Sequence, residues 1–188
     1  HCERTIPFPM NIAVFCGARM GTNPIYAQVA QDLGRIIAQR GMGVVYGGGH
    51  VGLMGVVADA ALKAGGQVIG VIPDFMMDME VAHQRLTELL VVRDMHERKM
   101  RMHERSQAVI ALPGGFGTMD EVFELLTWRQ LGLHDKPIGV LNVDGFYTPL
   151  LEQAARMEHD GFLHGNRRIL AATTVEEMVD AVCQQAGS

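Results

Sequence analysis

Short apolar runs, each leading through a turn into a helical pattern, recur along this chain and leave few folds open to it. Asn11 to Cys16 is the first run, followed by Pro24 to Arg40 with Val29, Leu33, Ile36 and Ile37 on one helical stripe. Val44 to Tyr46 precedes Gly52 to Ala64, and Val68 to Ile72 precedes an irregular stretch at 73–86. Leu89 to Val92 leads into Met95 to Arg105, and Ala108 to Leu112 into Thr118 to Leu131. Pro137 to Leu141 leads into Phe146 to His159, and Ile169 to Ala172 into Val175 to Gln185. Strands that are apolar throughout are covered on both faces, and the helices between them supply the cover. The expectation is an α/β fold: a doubly wound, Rossmann-like parallel sheet with helices on both faces, forming a single domain over 11–188. Such a sheet binds ligands beyond the carboxyl ends of its strands. Residues 1–10 fall outside the pattern and are expected to be an N-terminal extension or a vector remnant.

Composition narrows the function classes. A chain of 188 residues carries one large core. Its net charge of −5, with no basic stripe interleaved with aromatics, argues against a nucleic-acid partner. No apolar run reaches the ~18 residues needed to span a bilayer, so no membrane partner is expected. Cys2, Cys16 and Cys183 are scattered, without CxxC or metal spacing, which fits a reducing cytosol and predicts a cytoplasmic protein.

Three glycine clusters fall at strand ends: Cys16-Gly17-Ala18, Gly47-Gly48-Gly49-His50-Val51-Gly52, and Pro113-Gly114-Gly115-Phe116-Gly117. The third lies between an apolar strand and a helical pattern, a geometry in which the backbone approaches an anion and free N–H groups point at it. Glu121 stands one turn further on. A phosphate anchor beside an acid points to chemistry on a phosphorylated sugar. Thr118 to Glu121 also reads as a capping box, which would make Glu121 a helix cap. The second cluster matches GxGxxG with Asp74 after the next strand, so a dinucleotide site and plain tight turns both remain open. No GxxxxGK[ST] occurs, which removes a Walker-type site.

Acids at 120 and 121 would repel a phosphate unless cations stand close. Arg98 and Lys99, on the helix after the fourth strand, are the candidates; the alternative is a solvated face of Glu–Arg pairs. His96 and His103 are seven residues apart, roughly 10 Å along a helix, too far to share a metal ion. The methionines at 76, 77, 79, 95, 100 and 102 read as core or interface filler, and Trp128 with Leu125 and Leu131 as core or a helix-pairing surface.

Taken in order, Tyr46-Gly47-Gly48-Gly49-His50-Val51-Gly52-Leu53-Met54-Gly55, Met95-His96-Glu97-Arg98-Lys99 and Pro113-Gly114-Gly115-Phe116-Gly117-Thr118-Met119-Asp120-Glu121 resemble the Lonely Guy (LOG) family of cytokinin-activating phosphoribohydrolases, from about Asn11 to Ile169. The resemblance implies a Rossmann-like homodimer that hydrolyses the N-glycosidic bond of N6-substituted adenosine 5′-monophosphates, and AMP, without cofactor or metal. It implies catalytic roles for Arg98 and Glu121. It implies substrate contacts at Glu80, Lys99, Gly114, Gly115, Phe116, Gly117, Thr118, Met119, Asp120 and Thr127. Gly17, Gly48 and Gly49 are further candidate nucleotide contacts. The chain departs from the family at Ala18, where relatives carry serine, and at Asp120, where glutamate is usual. Family members also carry a lysine decarboxylase label. The three lysines, Lys63, Lys99 and Lys136, offer no convincing Schiff-base site for pyridoxal phosphate.

The expected mechanism follows from the bond. Cleaving C1′–N9 builds positive charge on the ribose and negative charge on the base. The amides of Gly114 to Thr118 would hold the 5′-phosphate, and Glu121 would stabilise the sugar cation and orient or deprotonate water. Arg98 either offsets charge on the base or holds the nucleotide; Glu80 either supplies a second acid or holds ribose hydroxyls. The rival class is a non-catalytic nucleotide sensor.

Overall fold

The protein was analysed as a computed structural model, which describes residues 10–165 and 168–187. The expected N-terminal extension lies outside these residues except for Met10, which is buried in the core. Among these residues seven parallel strands make the sheet: β1 (Asn11–Phe15), β2 (Gly43–Tyr46), β3 (Val68–Pro73), β4 (Glu88–Val92), β5 (Ala108–Ala111), β6 (Ile138–Leu141) and β7 (Leu170–Ala172). Among the described residues six α-helices alternate with the strands: α1 (Ile25–Gln39), α2 (Gly52–Lys63), α3 (Met95–Glu104), α4 (Phe116–Gln130), α5 (Thr148–His159) and α6 (Val175–Ala186). The spatial order is β4-β3-β2-β1-β5-β6-β7. β2, β3, β5 and β6 are buried along their whole length, as continuous apolar runs require, while the edge strands β4 and β7 are only partly covered.

Two apolar layers flank the sheet. One joins α1, α2 and α6 through residues such as Leu33, Ile37, Leu53, Val57, Met178 and Val182. The other joins α3, α4 and α5 through Met102, Val122, Leu125 and Leu151. The order of strands reverses between β1 and β5, whose registers match Ala13 to Val109 and Phe15 to Ala111. At that point β1 feeds a connection leading one way and β5 a connection leading the other. The loops after the two strands diverge and leave a crevice, the usual ligand position in an open α/β sheet.

One expectation about local structure needs correction. α4 begins at Phe116, with Gly115 as its N-cap and no side-chain cap bond. Thr118 therefore sits in the first turn, and Thr118 to Glu121 is not a capping box. Capping boxes are read from side chains, and a glycine cap has none to read.

Candidate functional site

The crevice is a cleft of about 420 Å³, and its floor is made where the β1 and β5 turns touch. Gly17 N–H donates to the Pro113 carbonyl at 3.1 Å, and Leu53 N–H donates to the Gly17 carbonyl at 3.1 Å. The turns are so close that a Cβ on Gly114 would lie 2.1 Å from Thr118 Oγ1 and 3.0 Å from Gly17 N. Glycine is required there by packing. Gly115 and Gly117 differ, since a Cβ at either would meet nothing within 4 Å. Open space in front of these glycines adjoins the start of α4, where the N–H groups of Phe116, Gly117 and Thr118 have no acceptor within the helix. No acidic residue occupies this first turn. Backbone donors, helix dipole and room together suit an anion.

Glu121 lines the cleft one turn along α4. Burial pushes its carboxyl up to about 7, with Arg98 opposing the shift and Glu80 and Asp120 adding to it. A carboxyl poised there is partly ionised at neutral pH and suited to moving a proton.

Arg98 faces it from α3 and is 3% exposed. α3 is set by Asp94, whose side chain accepts from Glu97 N–H at 2.8 Å. The guanidinium spans the ends of two strands: Nε donates to the Val71 carbonyl at 3.0 Å, and Nη2 to the Gly47 carbonyl at 2.7 Å and to Glu80 Oε2 at 2.8 Å. A Cβ on Gly47 would lie 2.2 Å from Nη2, so this glycine exists to admit the arginine. Among the described residues Nη1 reaches only the sulfurs of Met76 at 3.6 Å and Met95 at 3.9 Å, which are weak acceptors. Arg98 thus spends two nitrogens on the scaffold and keeps one for the cleft.

The structure gathers Gly17, Glu80, Arg98, Gly114, Gly115, Gly117, Thr118 and Glu121 around one cavity. Other candidates stand outside its wall. Lys99 points along α4 and pairs with Asp120 at 3.1 Å and with Glu124. Burial lowers its pKa, but these acids outweigh it and the net shift is upward. Lys99 so neutralises Asp120, the acid expected to repel a phosphate. Phe116 is almost fully exposed, and Thr127 is exposed with its hydroxyl donating to the Phe123 carbonyl at 2.8 Å. Met119 packs against the α3–α4–α5 layer. Gly48 packs against Ile72 and Leu89, and Gly49 against Glu80.

Several cleft residues escaped the sequence reading. Arg19 and Met20 come from the loop after β1, Tyr26 from α1, Met54 from α2, and Phe146 from the turn after β6. Tyr26 and Phe146 meet edge to face with centroids 6.0 Å apart. Met76 and Met95, read as filler, flank Arg98. The methionine cluster was the only available signal, and it does not tell a cleft wall from a core.

The three lysines can now be placed. Lys63 is exposed at the end of α2, Lys99 is paired as described, and Lys136 donates to the His103 carbonyl. None lines the cleft. Among the described residues one further group, His50, Asp59 and His83, brings ligand-type atoms within 4.8 Å of one another. His83 Nδ1 accepts from Arg85 N–H at 3.1 Å, however, so its Nε2 carries the proton and donates to Asp59 rather than offering a lone pair to a metal.

Known proteins match this chain over most of its length. Residues 54–185 match a family model described as "Possible lysine decarboxylase". The chain is 47% identical over 179 residues to a cytokinin riboside 5′-monophosphate phosphoribohydrolase of Rhodococcoides fascians, covering 94% of this chain and 90% of that one. It is 46% identical over 170 residues to an Arabidopsis thaliana protein of the same name, covering 89% and 79%. The chain belongs to the LOG phosphoribohydrolase family. The enzymes of this family that it matches take their name from cleavage of a riboside monophosphate, and the decarboxylase wording of the family model finds no lysine in the cleft. The fold is shared more widely: a molybdenum cofactor carrier protein of Chlamydomonas reinhardtii superposes with a TM-score of 0.74 at 23% identity, over 96% of this chain and 99% of that one. Among the described residues no helix is long and apolar enough to cross a membrane.

Proposed function

We propose that this LOG-family protein hydrolyses the N-glycosidic bond of N6-substituted adenosine 5′-monophosphates, and of AMP, releasing the free base and ribose 5-phosphate. The observation that carries the reading is Glu121 one helical turn beyond an anion-binding helix start, its carboxyl pushed up to about 7 by burial.

The phosphate is held by the N–H groups of Phe116, Gly117 and Thr118, with Gly114 and Gly115 letting it approach. This fixes C1′ beside Glu121. Glu121 as carboxylate opposes the charge that develops on the sugar and takes a proton from the attacking water. The water oxygen bonds to C1′, the C1′–N9 bond breaks, and the base leaves with the electron pair and takes a proton from solvent, to which Glu121 returns the one it took from water. Arg98, through Nη1, holds the nucleotide against the carboxylate. Glu80, already fixed by Arg98, holds ribose hydroxyls. The arrangement parallels glycoside hydrolysis with one reacting carboxylate in place of two. Lys99 and Asp120, paired between α3 and α4, act at the rim of the site.

Two features support a homodimer in the reducing cytosol. Phe116, Phe123, Leu131 and Leu133, on or just beyond α4, are exposed, more apolar surface than one helix face needs. Cys16 and Cys183 are free thiols.

Incubation with AMP, with isopentenyladenosine monophosphate and with adenosine tests the reading. Chromatography should show free base from both monophosphates and far less from adenosine. A protein that binds AMP and releases no base is a sensor, and equal rates on AMP and adenosine remove the phosphate anchor.

A further inference from the structure

His50, Asp59 and His83 form a closed cluster that the proposed reaction does not use. Asp59, on α2, accepts one hydrogen bond on each oxygen: from His50 Nε2 at 2.8 Å and from His83 Nε2 at 2.7 Å. The two rings meet edge to face with centroids 4.4 Å apart. The His83 side chain is 1% exposed, whereas those of His50 and Asp59 are 42% and 44% exposed, so the cluster ties a sealed group to an accessible one.

What it ties down is the turn that carries Glu80. His50 N–H donates to the Glu80 carbonyl at 3.0 Å and to the Val81 carbonyl at 2.8 Å, and His83 N–H donates to the Gly48 carbonyl at 2.9 Å. Gly49 and Ala82 pair across the same contact as an isolated antiparallel bridge. Val81 has a φ of 49°, a left-handed conformation unfavourable for a β-branched residue. Such a residue persists only where its surroundings hold it. Glu80, its immediate neighbour, is 9% exposed and bonded to Arg98 at the cleft. Asp59 thus joins both segments of this contact, the loop of His50 and the turn that runs from Glu80 to His83, to α2.

We infer that Asp59 is a positioning residue: by holding His50 and His83 together it fixes the Glu80–Val81 turn, and so sets the Glu80 carboxylate where a nucleotide meets it. The inference rests on the cleft being a nucleotide site.

A double-mutant cycle of Asp59→Ala with Glu80→Ala tests it, with AMP affinity read by calorimetry and base release read by chromatography. The Asp59 side chain is 44% exposed, so its truncation opens no sealed cavity. Asp59→Ala should weaken AMP binding and raise KM by roughly 5- to 20-fold, the size expected for groups in one network, with kcat changed by less than about twofold. In the Glu80→Ala background the same substitution should have no further effect. Asp59→Asn, which keeps one acceptor oxygen, should recover part of the loss. Glu80→Gln serves the same cycle if Glu80→Ala melts early. Unchanged AMP affinity in Asp59→Ala, or an equal loss with and without Glu80, overturns the inference. Stoichiometric Zn²⁺ binding by the wild type that Asp59→Ala abolishes also overturns it, because the cluster is then a metal site. A wild type that binds AMP but releases no base from AMP or from isopentenyladenosine monophosphate refutes the hydrolase reading alone, and affinity still decides the cycle. A wild type that does not bind AMP overturns both.

Discussion

At Glu121 two influences oppose each other. Burial raises the carboxyl to about 7, and the guanidinium of Arg98 holds it from going higher. Its catalytic form is the carboxylate, so kcat/KM should rise with pH to an apparent pKa near 7 in the free enzyme, rather than near the ordinary 4.5. Glu121→Gln should lower kcat by roughly 100-fold or more while AMP still binds, as loss of a general base does. Stability moves the other way. A carboxyl whose folded pKa is raised contributes most below its unfolded value and loses that contribution as pH climbs through about 7. Glu121→Gln should therefore melt higher than wild type at pH 8, with a smaller gain at pH 5. A variant that keeps turnover, or shows no such pH contrast, leaves Glu121 as an ordinary helix residue. The carboxylate was visible in the sequence because its signal is local: a glycine turn, then an acid one turn on. Arg98 was visible as a cation but its role was not. Its acceptors come from Val71, Gly47 and Glu80, three separate segments that nothing local connects to α3.

The start of α4 combines two kinds of glycine, and substitution separates them. Gly114→Ala drives a Cβ into Thr118 and Gly17, and should cost about 1–3 kcal/mol of stability, as overpacking does. Gly115→Ala meets no protein atom within 4 Å and has a φ of −98°, so stability should stay within about 0.5 kcal/mol of wild type. Its methyl group stands where the phosphate approaches, and AMP affinity should fall while adenosine affinity does not. Thermal melts and calorimetry on the two variants check both halves; unchanged AMP affinity in Gly115→Ala contradicts the anion site. Sequence placed each strand and helix within a few residues because buried parallel strands announce themselves as continuous apolar runs. It misplaced the N-terminus of α4 because TxxE is a cap pattern and Gly115 carries no side-chain signal. Tyr26 and Phe146 left no trace in the sequence, since their contact depends on how the turn after β6 folds back over α1.

The molecule divides its ionisable groups between the two ends of the sheet. Acids and Arg98 converge at the carboxyl ends of the strands, whereas His103, His134 and Lys136 meet near the start of β6. Burial, helped by Lys136 and His134, lowers His103 to about 4, and burial lowers His134 as well. The native state refuses protons that the unfolded chain takes up, so stability present above 6.5 is lost as pH falls towards 4. His103→Gln should flatten that decline in a series of melts between pH 6.5 and 4, and an unchanged slope would remove the cluster from the account. At the other end, strand order reverses between β1 and β5, and the cleft that opens there gives the nucleotide its orientation. The crystal structure of Glu121→Gln with intact AMP tests that orientation most directly. The account predicts the phosphate on the N–H groups of Phe116 to Thr118 and C1′ beside residue 121. A phosphate seated on the Gly47 turn, or a residue 121 turned into the core, would contradict it.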